Sequence, residues 1–256
     1  SYDSIVIDYD TPLKKTRRER IEITCDSINK EGRLFLSQRL IKFMSAESKD
    51  TLKNIENPET SWLNRSVWYE IDSTGKRYSW GVDNPNIEAM SPGGAFQPNM
   101  IFSLGYGCKT VNQAWIVEST DDLPENGIPV PILRQMSFYR MYDKFDTLGQ
   151  TCYKLEFIKT GQGSVWLDTK EDSIRITNII NGYGELALSV DKMIPVHYFG
   201  TVEQKLTIHL ADGTEKPGWH YINTKYTLDE YIPAPSEINR TKQSPQQHLK
   251  KKKLSK

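Results

Sequence analysis

Histidine is scarce in this chain, with four residues at 197, 209, 220 and 248, and cysteine scarcer, with three at 25, 108 and 152. No HxH, HExxH or clustered Cys/His spacing accompanies them, so neither a metal centre nor a disulfide framework is expected, and no cofactor. All three thiols, Cys25, Cys108 and Cys152, sit in or beside apparent strands and read as buried packing residues. One disulfide with a spare thiol is the alternative, with Cys108 and Cys152 as the first pair to consider. No apolar run reaches the length of a membrane span, and no signal-peptide core follows Ser1. Walker loops, dinucleotide fingerprints and GxSxG elbows are missing. The run GYGCK (105–109) lacks the strand-then-helix setting of a phosphate cradle, and GQGS (161–164) reads as a turn. Asp168, Asp172, Glu185 and Asp191 supply carboxylates, but no spacing selects a glycosidase pair.

What is present points to β-structure. The 256 residues suffice to bury about three-quarters of the chain surface in a core. Only 37% of residues are hydrophobic, yet 11% are aromatic, and this aromatic, β-branched, turn-rich mixture favours an all-β class. The formal charge of zero conceals an asymmetry. Residues 233–256 hold seven Lys/Arg against one acid, Glu237, and have almost no large apolar side chains. A disordered basic tail is expected there, solvated in the plainer reading and able to touch anionic lipid or nucleic acid in the other. The rest of the chain is correspondingly acidic, so no nucleic-acid partner is expected for the body.

The stretch 150–209 carries the clearest pattern. Pieces of five to nine residues alternate apolar and polar and stop at Gly, Asp or Asn, as in an antiparallel meander with one buried face. Leu186 and Leu188 oppose Ala187 and Ser189; Val196, Tyr198 and Gly200 oppose His197 and Phe199. Upstream, 29–32 (NKEG) reads as a hairpin connection, and Leu36, Leu40, Phe43 and Met44 give a helical stripe after a strand ending near Leu36. The clearest hairpin joins 68–72 to 76–82 through Ser73, Thr74 and Gly75. Residues 83–100 read as a long irregular loop, and the breaker region 121–131 (DDLPENGIPVP) as the boundary between halves. The expected organisation is therefore an N-terminal β-rich half (1–125), a C-terminal antiparallel meander (126–232) and the tail (233–256). A loose echo links 69–82 with 188–202, each running strand, turn, then an aromatic pair and Gly, which fits either duplication or two hairpins of one common type.

Six tryptophans are spread along the strands, and such a spread is usually core. The functional alternative is an aromatic-lined concave sheet face that holds a lipid or glycan. Trp80 and Phe199 occupy matching places in the two echoing hairpins, and Trp166 and Tyr198 lie in the meander, so these four are the candidate ligand-binding residues.

Three short motifs add a resemblance. Val111-Asn112-Gln113-Ala114-Trp115, Gly149-Gln150-Thr151-Cys152-Tyr153-Lys154-Leu155 and Gly182-Tyr183-Gly184-Glu185-Leu186 resemble the motifs of uncharacterised β-rich lipoproteins of the Gram-negative cell envelope, with Asn112 where glycine is usual. The resemblance spans about 110–205 and implies an envelope or periplasmic location and a curved antiparallel sheet, with no activity attached. The leading expectation is a mostly β protein, of curved antiparallel sheets or an open barrel with few helices. It is expected to be non-enzymatic and to bind a lipid or other apolar ligand. A structural or protein-interaction module of a surface or secretion assembly is the alternative, and a polysaccharide-active enzyme the third reading.

Overall fold

Turn chemistry sets the strand ends. The computed structural model describes residues 1–47, 63–82, 101–125, 128–168 and 173–233. At Leu148-Gly149 both residues have positive φ (49° and 72°), and Thr147 pairs with Gln150 on either side. This is the two-residue turn whose twist suits a hairpin. Asp72 caps the next tight turn: its Oδ1 accepts from the Thr74 and Lys76 amides at 2.8 and 3.1 Å, and Gly75 supplies φ +81°. Asn112 holds φ +65°, a left-handed backbone that glycine adopts most readily and asparagine next.

Eleven strands follow among the described residues: β1 (Tyr2–Ile7), β2 (Leu13–Ile28), β3 (Leu34–Glu47), β4 (Ser66–Ile71), β5 (Arg77–Val82), β6 (Ala114–Glu125), β7 (Ile128–Thr147), β8 (Gln150–Asp168), β9 (Ser173–Ser189), β10 (Pro195–His209) and β11 (Glu215–Thr227). They form one antiparallel sheet built from two meanders. β1 to β5 run outward in one direction and β11 to β6 in the other, with β1 beside β11 at the join. The sheet lies in the unit Ser1–Tyr226, and Thr227–Lys256 forms a second unit. The expected tail, apart from Pro233, and the expected loop at 83–100 lie outside the described residues. In the breaker region 121–131, β6 and β7 pair as far as Glu125 with Ile128.

Three expectations need correcting. Where a helix is expected after Leu36, the chain is strand: β3 continues to Glu47 and pairs with β2 along its length, with a register shift at Arg20/Ile21. Irregularity of that kind shifts which side chains face inward, and so mimics a longer period. Nor is GQGS a turn. Gly161 and Gly163 lie inside β8, as Gly182 and Gly184 lie inside β9. A β-carbon at Gly161 would sit 2.8 Å from the Arg134 carbonyl oxygen of β7, so this glycine permits close strand approach instead of a reversal. Finally, only Cys152 is a buried thiol; Cys25 and Cys108 are exposed, and all three are free.

The sheet is strongly curved. Its end strands, β5 and β6, are ten strand spacings apart, about 48 Å if flat. Yet Leu104 bridges them: its amide donates to the Thr74 carbonyl in the β4–β5 turn at 2.8 Å, and its own carbonyl accepts from Trp115 Nε1 of β6 at 2.8 Å. Phe102 faces inward against Tyr198 at 5.1 Å between centroids, and Ile101 packs against Val67, Tyr69 and their neighbours. Outside the bridge, Tyr106 donates its hydroxyl proton to Asp72 Oδ2 at 2.7 Å. The sheet is thus open as a hydrogen-bonded ladder, and residues 101–106 clasp its two ends together.

The clasp has a titratable member. Burial alone would raise the Asp72 carboxyl, but hydrogen bonds from the Thr74 hydroxyl, Tyr106 and the turn amides outweigh it and bring the pKa to about 2. A depressed carboxylate contributes stability above its ordinary value of 3.8 and loses that contribution as pH falls through about 2. The gap in urea midpoint between wild type and Asp72→Asn should therefore be full at pH 5 and narrow between about pH 4 and 2. A gap independent of pH would mean that Asp72 does not hold the clasp as a carboxylate.

Candidate functional site

Alternation sorts the aromatic side chains onto two faces. On the inner face, Tyr139, Leu155, Phe157, Leu186, Leu188, Val117 and Tyr198 form the main buried cluster, packed further by Phe102, Leu104, Trp115, Tyr153 and Tyr226. Phe157 and Tyr198 stack at 5.8 Å and 8°, lying against Gly184 and Gly200, which pair with each other across β9 and β10. Two cross-strand glycines thus leave the floor on which two rings lie flat. Burial pushes the Tyr139 hydroxyl up to about 12 and raises those of Tyr198 and Tyr226 as well, so all three stay neutral. A second inner cluster joins Leu40, Val67, Tyr69 and Ile71, and a third Leu133, Ile180, Val202 and Ile222.

The four expected ligand residues are not brought together. Tyr198 is 2% exposed and is covered on the inner face by Phe102, Phe157 and Tyr226. Phe199 is half-buried on the opposite face, paired with Glu185. Trp80 packs inward against the Tyr69 cluster, whose strand it pairs with at Tyr69. The two echoing aromatic–glycine pairs are therefore out of phase by one residue, which in a period-2 element sends Trp80 and Phe199 to opposite faces. Trp166 shares the outer face with Phe199, but it lies far along β8 and is 65% exposed.

The outer face carries what the sequence reading missed. Ile116 of β6 pairs with Phe138 of β7, Phe138 with Ile158 of β8, and Ile158 with Tyr183 of β9. The four are 57%, 41%, 63% and 55% exposed. They form a straight apolar row about 14 Å wide across four strands. On one flank Arg140, Glu156 and Glu185 stand in register, with Lys154 bonded to both glutamates at 3.2 and 3.0 Å. The signal was present as four apolar residues in polar-phase positions, but it becomes visible only once register aligns them.

Further along the same face, about 27 Å from Ile158 by strand rise, β8 to β10 bring a second group together. Trp166 pairs with Arg175, Arg175 with His209, and Ser164 with Thr177. Arg175 Nε donates to Ser164 Oγ at 3.2 Å, and its guanidinium lies 6.0 Å from the Trp166 ring centroid. His209 Nε2 meets Thr177 Oγ1 at 3.1 Å and its Nδ1 meets Glu215 Oε1 at 3.0 Å. No protein-family model, curated protein or solved structure matches this chain.

Proposed function

We propose that this protein is a non-enzymatic interaction module that engages a protein partner through the outer face of β6–β9. The row Ile116, Phe138, Ile158 and Tyr183 carries the reading. A small apolar ligand needs a concave site that covers most of its surface, and the outside of a curved sheet offers none. A protein surface can instead be laid against it. An apolar centre beside charged residues, here Arg140, Lys154, Glu156 and Glu185, is also the arrangement of protein interfaces with a polar rim. An envelope setting is proposed with it on the resemblance of residues 110–205 alone.

The test places a photo-crosslinking residue at Ile158 in the living source cell. One discrete adduct is expected, formed also from Tyr183, lost on Phe138→Asp, and absent when the crosslinker stands at exposed Ile23 on β2. Phe138→Asp should shift the melting temperature little, because its side chain is exposed. No adduct, or one indifferent to Phe138→Asp in a folded variant, would overturn the reading.

A further inference from the structure

We infer that the outer-face group around Trp166 is a saccharide subsite, which receives one pyranose ring of a glycan on the indole. It uses other residues than the protein contact, and it holds or fails separately. A pyranose presents an apolar C–H face and a rim of hydroxyls. Its recognition therefore asks for a flat exposed aromatic ring with donors and acceptors fixed beside it. Trp166 meets the first demand: it projects from β8 with 65% of its surface exposed, while its neighbour Val165 packs inward with the Ile180 cluster.

The second demand is met by side chains already held in place. Ser164 fixes Arg175 through Nε, and neither terminal nitrogen of the guanidinium has a partner among the described residues. That planar fork can bond two adjacent hydroxyls at once. Ser164 accepts from Arg175 and so keeps its own proton to donate. His209 is held on both sides, by Thr177 and Glu215, which leaves Glu215 Oε2 as an acceptor beside the donors. Side chains ordered before binding lose little freedom when a ligand arrives. Donors and acceptors are mixed, and a carboxylate stands among them, which suits a neutral polyol better than a phosphate.

The chain Glu215–His209–Thr177 has the carboxylate–imidazole–hydroxyl order of an acyl-transfer relay. However, β9 is an interior strand, and Thr177 is paired on both sides, with Ser164 and Thr207. The backbone amides around it are tied into the ladders, so no N–H pair is left to hold an oxyanion. Binding is the chemistry this group can perform.

The experiment titrates the full chain with soluble hexasaccharides of glucose, N-acetylglucosamine, xylose and mannose backbones, and with inorganic phosphate as the anion control. Indole resonances are followed by NMR and heat by calorimetry. At least one hexasaccharide should bind saturably and shift the Trp166 indole signal, while phosphate does not. Trp166→Ala should weaken that binding by about tenfold or more, and Arg175→Lys, which keeps the charge and loses the fork, should weaken it as well. Both variants should melt with wild type, since the side chains are on the surface. Should Trp166→Ala prove unstable, Arg175→Lys decides alone. The inference is overturned if no hexasaccharide binds, if only phosphate does, or if a folded Arg175→Lys variant binds as tightly as wild type.

Discussion

Alanine in place of Gly184 is expected to cost the fold about 3 kcal/mol, for the addition of a single methyl group. A β-carbon there would fall on the Phe199 carbonyl oxygen, well inside contact distance. It would also lie 2.7 Å from the Phe157 ring and 2.9 Å from the Gly200 α-carbon. Two of these neighbours are backbone of the paired strand, so nothing can swing aside, and the β9–β10 ladder must open locally. Gly32→Ala is the matched control. Its φ of +80° makes alanine uncomfortable, but nothing lies within 4 Å of the added carbon. That change should cost only ~1 kcal/mol from backbone strain. Urea unfolding of the two variants separates crowding from conformation. Because Gly184 has ordinary strand backbone, equal losses would mean that the ladder accommodates the added methyl and that the flat stacking of Phe157 on the glycine pair is not what requires glycine there.

Tyr198→Ala should cost about 3–5 kcal/mol, the range for removal of a buried aromatic ring. Tyr198 is 2% exposed and touches the clasp through Phe102, the sheet floor through Phe157, and β11 through Tyr226. Its removal therefore leaves a cavity at the point where the curved sheet and residues 101–106 meet. Phe199→Ala, one residue along but facing outward, should cost clearly less. Chemical denaturation and near-UV circular dichroism of both variants would show the contrast. If the two changes were equally mild, and Tyr198→Ala left the near-UV signal unchanged, the inner face would be a free surface, and the expectation of an apolar ligand there would return.

Local chemistry decided much of this protein before any long-range contact. Alternation at Leu186, Leu188, Val196 and Tyr198 determined antiparallel strands, and the structure buries all four. It also buries Ala187 and Ser189, so the end of β9 is covered on both faces and not on one as the alternation implied. Asp72 with Gly75, and Gly213 after Asp212, determined turns where turns are found, because capping carboxylates and positive φ are properties of a few adjacent residues. Three things belong to tertiary structure. Whether a glycine ends a strand or lies within it is not local: Gly161, Gly182 and Gly184 are in strands because a neighbouring strand or ring occupies the space of the missing β-carbon. Which face an aromatic residue takes depends on register, and a shift of one residue separates Trp80 from Phe199. The closure is the most distant of all. Leu104 joins Thr74 to Trp115 only after eleven strands have curled far enough to bring the two ends together, and the twist that accumulates across a sheet is written in no single segment of its sequence.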